Sequence, residues 1–315
     1  MQTKIRIAAL AAAAMLIAGP GAAGTLKVGK PTPTAYSFAL LEVGIQKGIF
    51  KKYGLDIETV TLAGGAKVHQ AMIAGSIDIG LGAGPDWGFI AKGAPEKGVG
   101  QMAGALLNIA ISVRADGSVK SAADLKGRSI GVTTAGSLTD WCAQEFSRRQ
   151  GWGTDGLKIV SLGSPQGMVS ALTAKNVDAV SISVETSLVL ESKGEGKMLV
   201  NFGDTIKNFV THVIFATDTM MEKRPDELRG FLKGWYETIA FTRANRDETI
   251  RITREITKLP QPIAERVYDI ETPMFPVDGH FDRDAVKVVK QSLVDMGAVN
   301  SPPSDQALFT EKFLP

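Results

Sequence analysis

The sequence predicts an α/β protein with two lobes, each built on a parallel β-sheet with helices on both faces. The chain has 315 residues, which suggests about two domains. Segments with strand and helix patterns alternate through most of the chain, as expected for parallel sheets. Part of this pattern also occurs twice, at an offset of about 100 residues. Two similar units side by side predict the two lobes.

The repeat covers residues 53–85 and 155–187. Both copies begin with Gly-Leu-x-Ile and continue with a β-branched strand, a loop containing glycine and an amphipathic helix. We expect these helices to end at Gly75 and Asn176, residue types that tolerate a left-handed turn. A second apolar strand follows in each copy. Matched features in the same order favour a true duplication over a chance likeness between βαβ units.

Capping residues occur at several predicted element ends. Asp78 and Asp178 stand at equivalent points of the two copies, so we expect both to accept backbone N–H groups at strand starts. The segment Ser137-Leu138-Thr139-Asp140 resembles a capping box with Asp in place of the usual Glu. The helix that it opens should end at Gly151.

The chain after Pro225 has a helical pattern, and Pro225 itself suits a first helical turn. Apolar residues at spacings of three and four predict one buried stripe, formed by Leu228, Phe231, Leu232, Trp235 and Ile239. Further helices are predicted at about 247–258, 262–271 and 283–297.

The N-terminus has the pattern of a secretory signal peptide, predicted over residues 1–23. Lys4 and Arg6 precede an apolar, Ala-rich run that ends before small residues. The run is too short to span a bilayer, although an uncleaved anchor is the alternative. Because no Cys follows the run, we expect a free, soluble protein in the periplasm, cleaved near residues 22–25.

Composition excludes several classes of function. The formal net charge is +2, and loss of Lys4 and Arg6 would leave 33 basic and 33 acidic side chains. Such a balance argues against nucleic-acid and membrane-surface partners. Cys142 is the only cysteine, so no intramolecular disulfide or Cys-based metal cluster is possible, and the three histidines lack metal-site spacing. We expect neither metal nor cofactor.

The first copy, with the segment before it, reads "EVGIQKGIFKKYGLDIETVTLAGGAKVHQAMIAGSIDIGLG". It resembles substrate-binding proteins of ABC importers of the nitrate, sulfonate and taurine type, a group that includes a thiamine-pyrimidine precursor branch. "SAADLKGRSIGVTTAGS" is similar to the opening of that family's second lobe. The resemblance implies a bilobed type II periplasmic-binding-protein fold with two crossover strands, near Ile109–Arg114 and Asn208–Val213. It also implies lobe 1 from 24–111 and 212–315, and lobe 2 from 112–211.

A ligand in such a fold would bind beyond the carboxyl ends of the strands, where glycines and helix N-termini present N–H groups. The loops expected there are Pro31–Phe38, Ala63–Lys67, Gly82–Gly88, Thr133–Leu138, Gly163–Gly167, Ser183–Ser187 and Thr211–Val213. We expect ligand contacts from Tyr36, Phe38, Gly65, Lys67, Asp86, Trp87, Thr134, Gly136, Ser137, Glu185 and His212.

Several of these candidates have structural alternatives. Tyr36, Phe38 and Trp87 could stack on a ligand or pack in the core, while Trp141 favours the core. Lys67 could instead be a solvated lysine. Glu185 could bridge the lobes, touch ligand or lie at the surface. His69, inside a predicted helix, has the setting of a structural histidine.

The resemblance implies that the protein captures a small organic solute for a membrane permease. It would do so as a monomer that closes about a hinge. The alternative is a thiamine-pyrimidine-synthase-like enzyme on the same fold. That family's enzymes carry a cysteine cluster, whereas this chain has one cysteine and an export signal. A sensor's effector domain is a third reading, but no DNA-binding or membrane segment accompanies it. The sequence leaves the identity of the solute open, whether anion, sulfonate, carboxylate or nitrogen heterocycle.

Overall fold

The computed structural model describes residues 24–315, so the predicted signal peptide lies outside the described residues. Ten strands are described: β1 Gly24–Lys30, β2 Leu55–Thr61, β3 Ile79–Ala83, β4 Glu96–Ala103, β5 Ile109–Arg114, β6 Ser129–Val132, β7 Lys158–Ser161, β8 Ala179–Ser183, β9 Gly196–Asn201 and β10 His212–Thr217. Within residues 24–315, no helix combines the length and apolar character needed to cross a bilayer.

The α-helices alternate with strands in the first part of the chain and follow one another in the last. They are α1 Tyr36–Gln46, α2 Gly65–Ile73, α3 Trp87–Ala91, α4 Leu138–Arg149, α5 Pro165–Thr173, α6 Val184–Ser192, α7 Phe202–Thr205, α8 Asp218–Lys223, α9 Pro225–Ala244, α10 Arg246–Thr257, α11 Gln261–Glu271, α12 Arg283–Asp295 and α13 Asp305–Leu308. The helices predicted from the C-terminal pattern are therefore confirmed. Phe231, Leu232 and Trp235 of α9 are completely buried, as the predicted stripe requires.

The strands form two five-stranded sheets, in the orders β2-β1-β3-β10-β4 and β7-β6-β8-β5-β9. Each sheet is mixed rather than parallel, which corrects the sequence-based expectation. Strand β10 runs antiparallel to β3 and β4, and β5 runs antiparallel to β8 and β9. Each of these strands follows a strand of the other sheet and not a βαβ crossover within its own sheet. It therefore enters its sheet from the opposite end and runs antiparallel to its neighbours.

The predicted crossing at Ile109–Arg114 coincides with β5. The second crossing was placed too early, because β10 begins at His212 and residues 208–211 are irregular. Strands β5 and β10 lie beside the boundaries expected for the lobes, and the exact division of the chain into lobes stays a prediction.

The duplication is visible in the capping of strands. Asp78 Oδ2 accepts the N–H of Lys27 in β1 at 2.9 Å, and Asp178 Oδ2 accepts the N–H of Ser129 in β6 at 3.0 Å. These equivalent bonds confirm the expected role of both aspartates. The left-handed residue after α5 is Lys175, with φ 64°, and not Asn176 as predicted. Gly75, with φ 67°, does end the turn after α2.

The capping box at α4 forms only in part. Ser137 Oγ accepts the N–H of Asp140 at 3.3 Å, as a helix cap should. The carboxylate of Asp140 bonds the N–H of Gly136 at 2.8 Å rather than that of Ser137. Gly151, with φ 73°, follows the end of the helix as expected.

Candidate functional site

A cavity of about 420 Å³ lies between the two sheets, where the loops that follow the carboxyl ends of their strands meet. This volume is within the range of small-molecule sites. The lining residues are Pro31, Thr32, Pro33, Phe38, Thr61, Leu62, Ala63, Gly64, Gly65, Gly82, Ala83, Asp86, Thr133, Ser137, Leu138, Thr139, Gly163, Ser164, Pro165, Gln166 and His212. All of the predicted ligand loops contribute except Ser183–Ser187.

His212 and Phe38 form one part of the wall, with ring centroids 4.8 Å apart. His212 Nδ1 lies 3.1 Å from the carbonyl oxygen of Gly82, which can only accept a hydrogen bond. Its Nε2 lies 2.9 Å from Asn108 Nδ2, which can only donate. Burial lowers the pKa of His212 to about 4, against opposing effects of the Gly82 bond and the Asp86 charge. His212 is therefore a neutral imidazole at neutral pH, with its proton on Nδ1.

Asp86 supplies a carboxylate to the same side of the cavity. Its Oδ2 accepts the N–H of Ala83 at 2.7 Å and lies 3.3 Å from His69 Nε2. The other ring nitrogen of His69 lies 2.6 Å from Glu96 Oε1. Burial alone would lower the pKa of His69, but its interactions with Asp86 and Glu96 outweigh burial and raise the pKa to about 9. His69 is thus a buried imidazolium between two carboxylates.

Gly65 leaves the Asp86 carboxylate uncovered. A Cβ at Gly65 would lie 3.0 Å from Asp86 Oδ2 and 3.1 Å from Oδ1, which is closer than ordinary contact. Any larger residue at this position would place carbon directly on the carboxylate. The glycine is therefore explained by the close approach of the Asp86 carboxylate and not by a left-handed backbone.

The opposite wall, from the second sheet, carries hydroxyl groups and a helix N-terminus. The hydroxyl oxygens of Thr133, Ser137 and Thr139 lie 2.9 to 3.0 Å from one another. The N–H groups of Leu138 and Thr139 are in the first turn of α4, where no carbonyl of the helix can accept them. The helix dipole adds partial positive charge at this wall.

Of the residues predicted to touch ligand, Phe38, Gly65, Asp86, Ser137 and His212 line the cavity. The remaining six do not, and those are Tyr36, Lys67, Trp87, Thr134, Gly136 and Glu185.

The aromatic candidates outside the cavity belong to the core. Trp87 is completely buried and stacks on Phe309, with centroids 5.6 Å apart. Tyr36 is also buried, and its hydroxyl is hydrogen-bonded to Thr272 at 2.9 Å. Trp141 is buried against Phe209, as the sequence favoured.

The polar candidates outside the cavity differ in their surroundings. Lys67 and Gly136 are exposed, and Thr134 is half-buried. Glu185 is buried, so its surface alternative does not apply. It forms a carboxyl pair with Glu271 of α11, and Oε1 of Glu185 accepts the N–H of Tyr36 at 3.4 Å.

This carboxyl pair is fully enclosed. Burial and the charge of Glu185 raise the pKa of Glu271 well above its usual range, and burial raises that of Glu185. Ser37 Oγ donates to Glu271 Oε2 at 2.9 Å. Because both pKa values are raised, the enclosed pair favours a protonated form over two adjacent negative charges. It joins α6 of the second sheet to α11.

Sequence reasoning did not single out several polar lining residues, namely Thr32, Thr61, Thr139, Ser164 and Gln166. Ser164 carried a usable signal, since Ser followed by Pro is typical of a helix N-terminus. Its Oγ indeed accepts the N–H of Gly167 at 3.1 Å and caps α5.

Relatives and solved structures resemble this chain. A Brucella abortus protein named as a binding protein is 26% identical over 227 residues, which cover 70% of this chain and 68% of that protein. A Bacillus subtilis protein named as an aliphatic sulfonates-binding protein is 25% identical over 276 residues, covering 84% and 82%. Both are named for binding and not for catalysis.

The alkanesulfonate-binding protein SsuA from Xanthomonas axonopodis pv. citri, solved with MOPS, matches with a TM-score of 0.77 at 18% identity, covering 90% of this chain and 98% of SsuA. The desulfurization enzyme DSZB matches with a TM-score of 0.68 at 18% identity, covering 92% and 97%. These likenesses confirm the type II periplasmic-binding-protein fold, on which both binding proteins and an enzyme occur.

The sequence profile described as "NMT1/THI5 like" matches residues 36–249, which is more than half of the chain. The resemblance found in the sequence is thereby confirmed, and the chain belongs to the NMT1/THI5-like family.

Proposed function

We propose that this protein is the substrate-binding protein of an ABC importer and captures a small organic solute in the cavity between its two sheets. The single observation that carries the proposal is the cavity itself, which is walled by loops from both sheets at the carboxyl ends of their strands. The names of the relatives from Brucella and Bacillus support the same function. A permease is the partner, and the protein acts as a monomer in the periplasm.

Capture occurs by hinge closure. Within residues 24–315, the chain passes from one sheet to the other at residues 104–108, between β4 and β5, and at 202–211, between β9 and β10. Two lobes joined by so few connections can rotate as rigid bodies. Small-angle scattering should give a smaller radius of gyration at saturating ligand than without ligand, and an unchanged radius would refute closure.

Native mass spectrometry of protein purified from periplasm should reveal a bound small solute, released on denaturation. The same solute should be recovered chemically intact after prolonged incubation with the protein. Conversion of the solute would contradict the binding function and favour an enzyme.

An enzyme of the pyrimidine-synthase or desulfurization kind is the second candidate, and DSZB shows that the fold permits catalysis. Cys142 is the only thiol, and it is completely buried in α4. Burial, and then the charges of Glu145 and Asp140, raise its pKa well above the usual range. A thiol in that state is a poor nucleophile, which favours the binding function.

A further inference from the structure

The two walls of the cavity differ in the chemistry that they offer. Of the cavity-lining residues between 24 and 315, none is Lys or Arg, and His212 is neutral. The only charged side chain in the lining is then the Asp86 carboxylate. The wall from the second sheet instead offers the hydroxyl groups of Ser137 and Thr139 and the free N–H groups of the first turn of α4.

The Asp86 carboxylate is only partly neutralised by the protein. His69 Nδ1 donates a hydrogen bond of 2.6 Å to Glu96 Oε1. His69 Nε2 lies 3.3 Å from Asp86 Oδ2, which is an ion-pair distance, but the two groups are not aligned for a hydrogen bond. One imidazolium between two carboxylates leaves a net negative charge in this cluster. Glu96 does not line the cavity, so the unbalanced charge is presented through Asp86.

Asp86 lines the cavity and has one carboxylate oxygen that the protein leaves without a donor in residues 24–315. Its side chain is 6% exposed, and Oδ2 takes the Ala83 N–H and the contact with His69. Oδ1 accepts no hydrogen bond from any residue in the range 24–315. A carboxylate oxygen without a protein donor can accept a hydrogen bond from a ligand or from water. Gly65 keeps that oxygen reachable.

We propose that Asp86 binds a positively charged or N–H-bearing nitrogen of the solute, so that the substrate class is small organic amines with an oxygen-rich acceptor at the other end. The amine donates to Asp86 Oδ1, and the acceptor end faces the hydroxyl and N–H groups at Ser137–Thr139. The inference rests on the proposed function, since it takes the cavity to be the binding site.

The test uses probe pairs that differ by one amino group: aminopropanesulfonate and propanesulfonate, aminobutanoate and butanoate, aminomethylbenzoate and methylbenzoate. Thermal unfolding and calorimetric titration of the intact protein measure binding. At least one amine should bind roughly tenfold or more tightly than its amine-free partner, as expected for a charge-assisted hydrogen bond. The proposal that the solute is an amine is overturned if the amine-free probes stabilise the protein to the same degree as the amines. It is also overturned if no probe stabilises the protein.

Two variants test the assigned contact. Asp86→Asn should weaken binding of the amine on the order of 10- to 100-fold while changing that of its amine-free partner by less than about threefold. A merely structural role for Asp86 would lower both affinities together. Gly65→Ala, which puts a methyl group about 3.0 Å from the carboxylate, should act in the same direction. Gly230→Ala is its control, because a Cβ there meets nothing closer than 3.4 Å.

The failure of this inference can be told apart from failure of the proposed function. If periplasmic extract stabilises the protein and the bound component contains no protonatable or N–H-bearing nitrogen, the importer function stands and the amine assignment falls. If no component of the extract binds, the cavity is not a solute site and the proposed function itself falls.

Discussion

Replacement of His69 by Gln should remove a pH-dependent part of the protein's stability. His69 is buried, and its pKa rises from 6.5 to about 9 between Asp86 and Glu96. A shift of that size corresponds to about 3 kcal/mol in the free energy of unfolding. Because the folded-state pKa is raised, this stabilisation is fully present below pH 6.5 and is lost as the pH rises through about 9.

Urea unfolding followed by circular dichroism, at intervals from about pH 6.5 to about pH 9.5, measures the effect. The difference in stability between the wild type and His69→Gln should shrink by about 3 kcal/mol over that range. Taking the difference cancels other titrations, such as that of Glu271, which are common to both proteins. His280→Gln is the matched control, since that side chain is 62% exposed. Parallel curves for the wild type and His69→Gln would refute the ion-pair interpretation of His69.

Other predictions concern the site wall, the backbone and export. Ser137→Ala should weaken ligand binding somewhat under tenfold, partly because α4 is then capped less well. Ser137→Glu should weaken binding far more if an acceptor group of the ligand lies against Ser137. If calorimetry gives wild-type affinity for Ser137→Glu, this wall is not part of the binding site. Gly84→Ala should destabilise the fold by about 1 to 3 kcal/mol, because its Cβ would meet the carbonyl oxygen of Val210 at 2.1 Å, and Gly230→Ala should not; equal urea midpoints would contradict this. Intact-mass measurement of periplasmic protein should show loss of the peptide before residues 22–25, and the full-length mass in the membrane fraction would contradict export.

Local sequence signals were sufficient for the features that local interactions determine. The alternation of strands and helices, the cap at Ser137 and the roles of Asp78 and Asp178 were all foreseen, since each depends on residues close in sequence or on the repeat. The error at Asn176 is local too: the turn uses Lys175 instead, with φ 64°, a conformation that non-glycine residues adopt at some cost.

Contacts between distant segments were beyond these signals. The reversed direction of β10 depends on the chain crossing from one sheet to the other, which no local pattern encodes. Glu185 and Glu271 approach each other only because α6 packs against α11. A structural role was one of the two expectations for His69, but its charge could not be inferred, because the charge depends on Asp86 and Glu96 lying on either side of the ring.

The duplication explains why the cavity has unlike walls. An acid follows each of the equivalent strands β3 and β8, but one position apart: Asp86 is three residues after the end of β3, and Glu185, in the first turn of α6, is two residues after the end of β8. The shorter side chain of Asp86 folds back onto the N–H of Ala83 and stays at the cavity. Glu185 pairs with Glu271 away from the cavity, so the second sheet contributes no carboxylate to the lining. Because the two copies present an acid on one side of the cavity only, we expect a solute that bridges the walls to have two different ends.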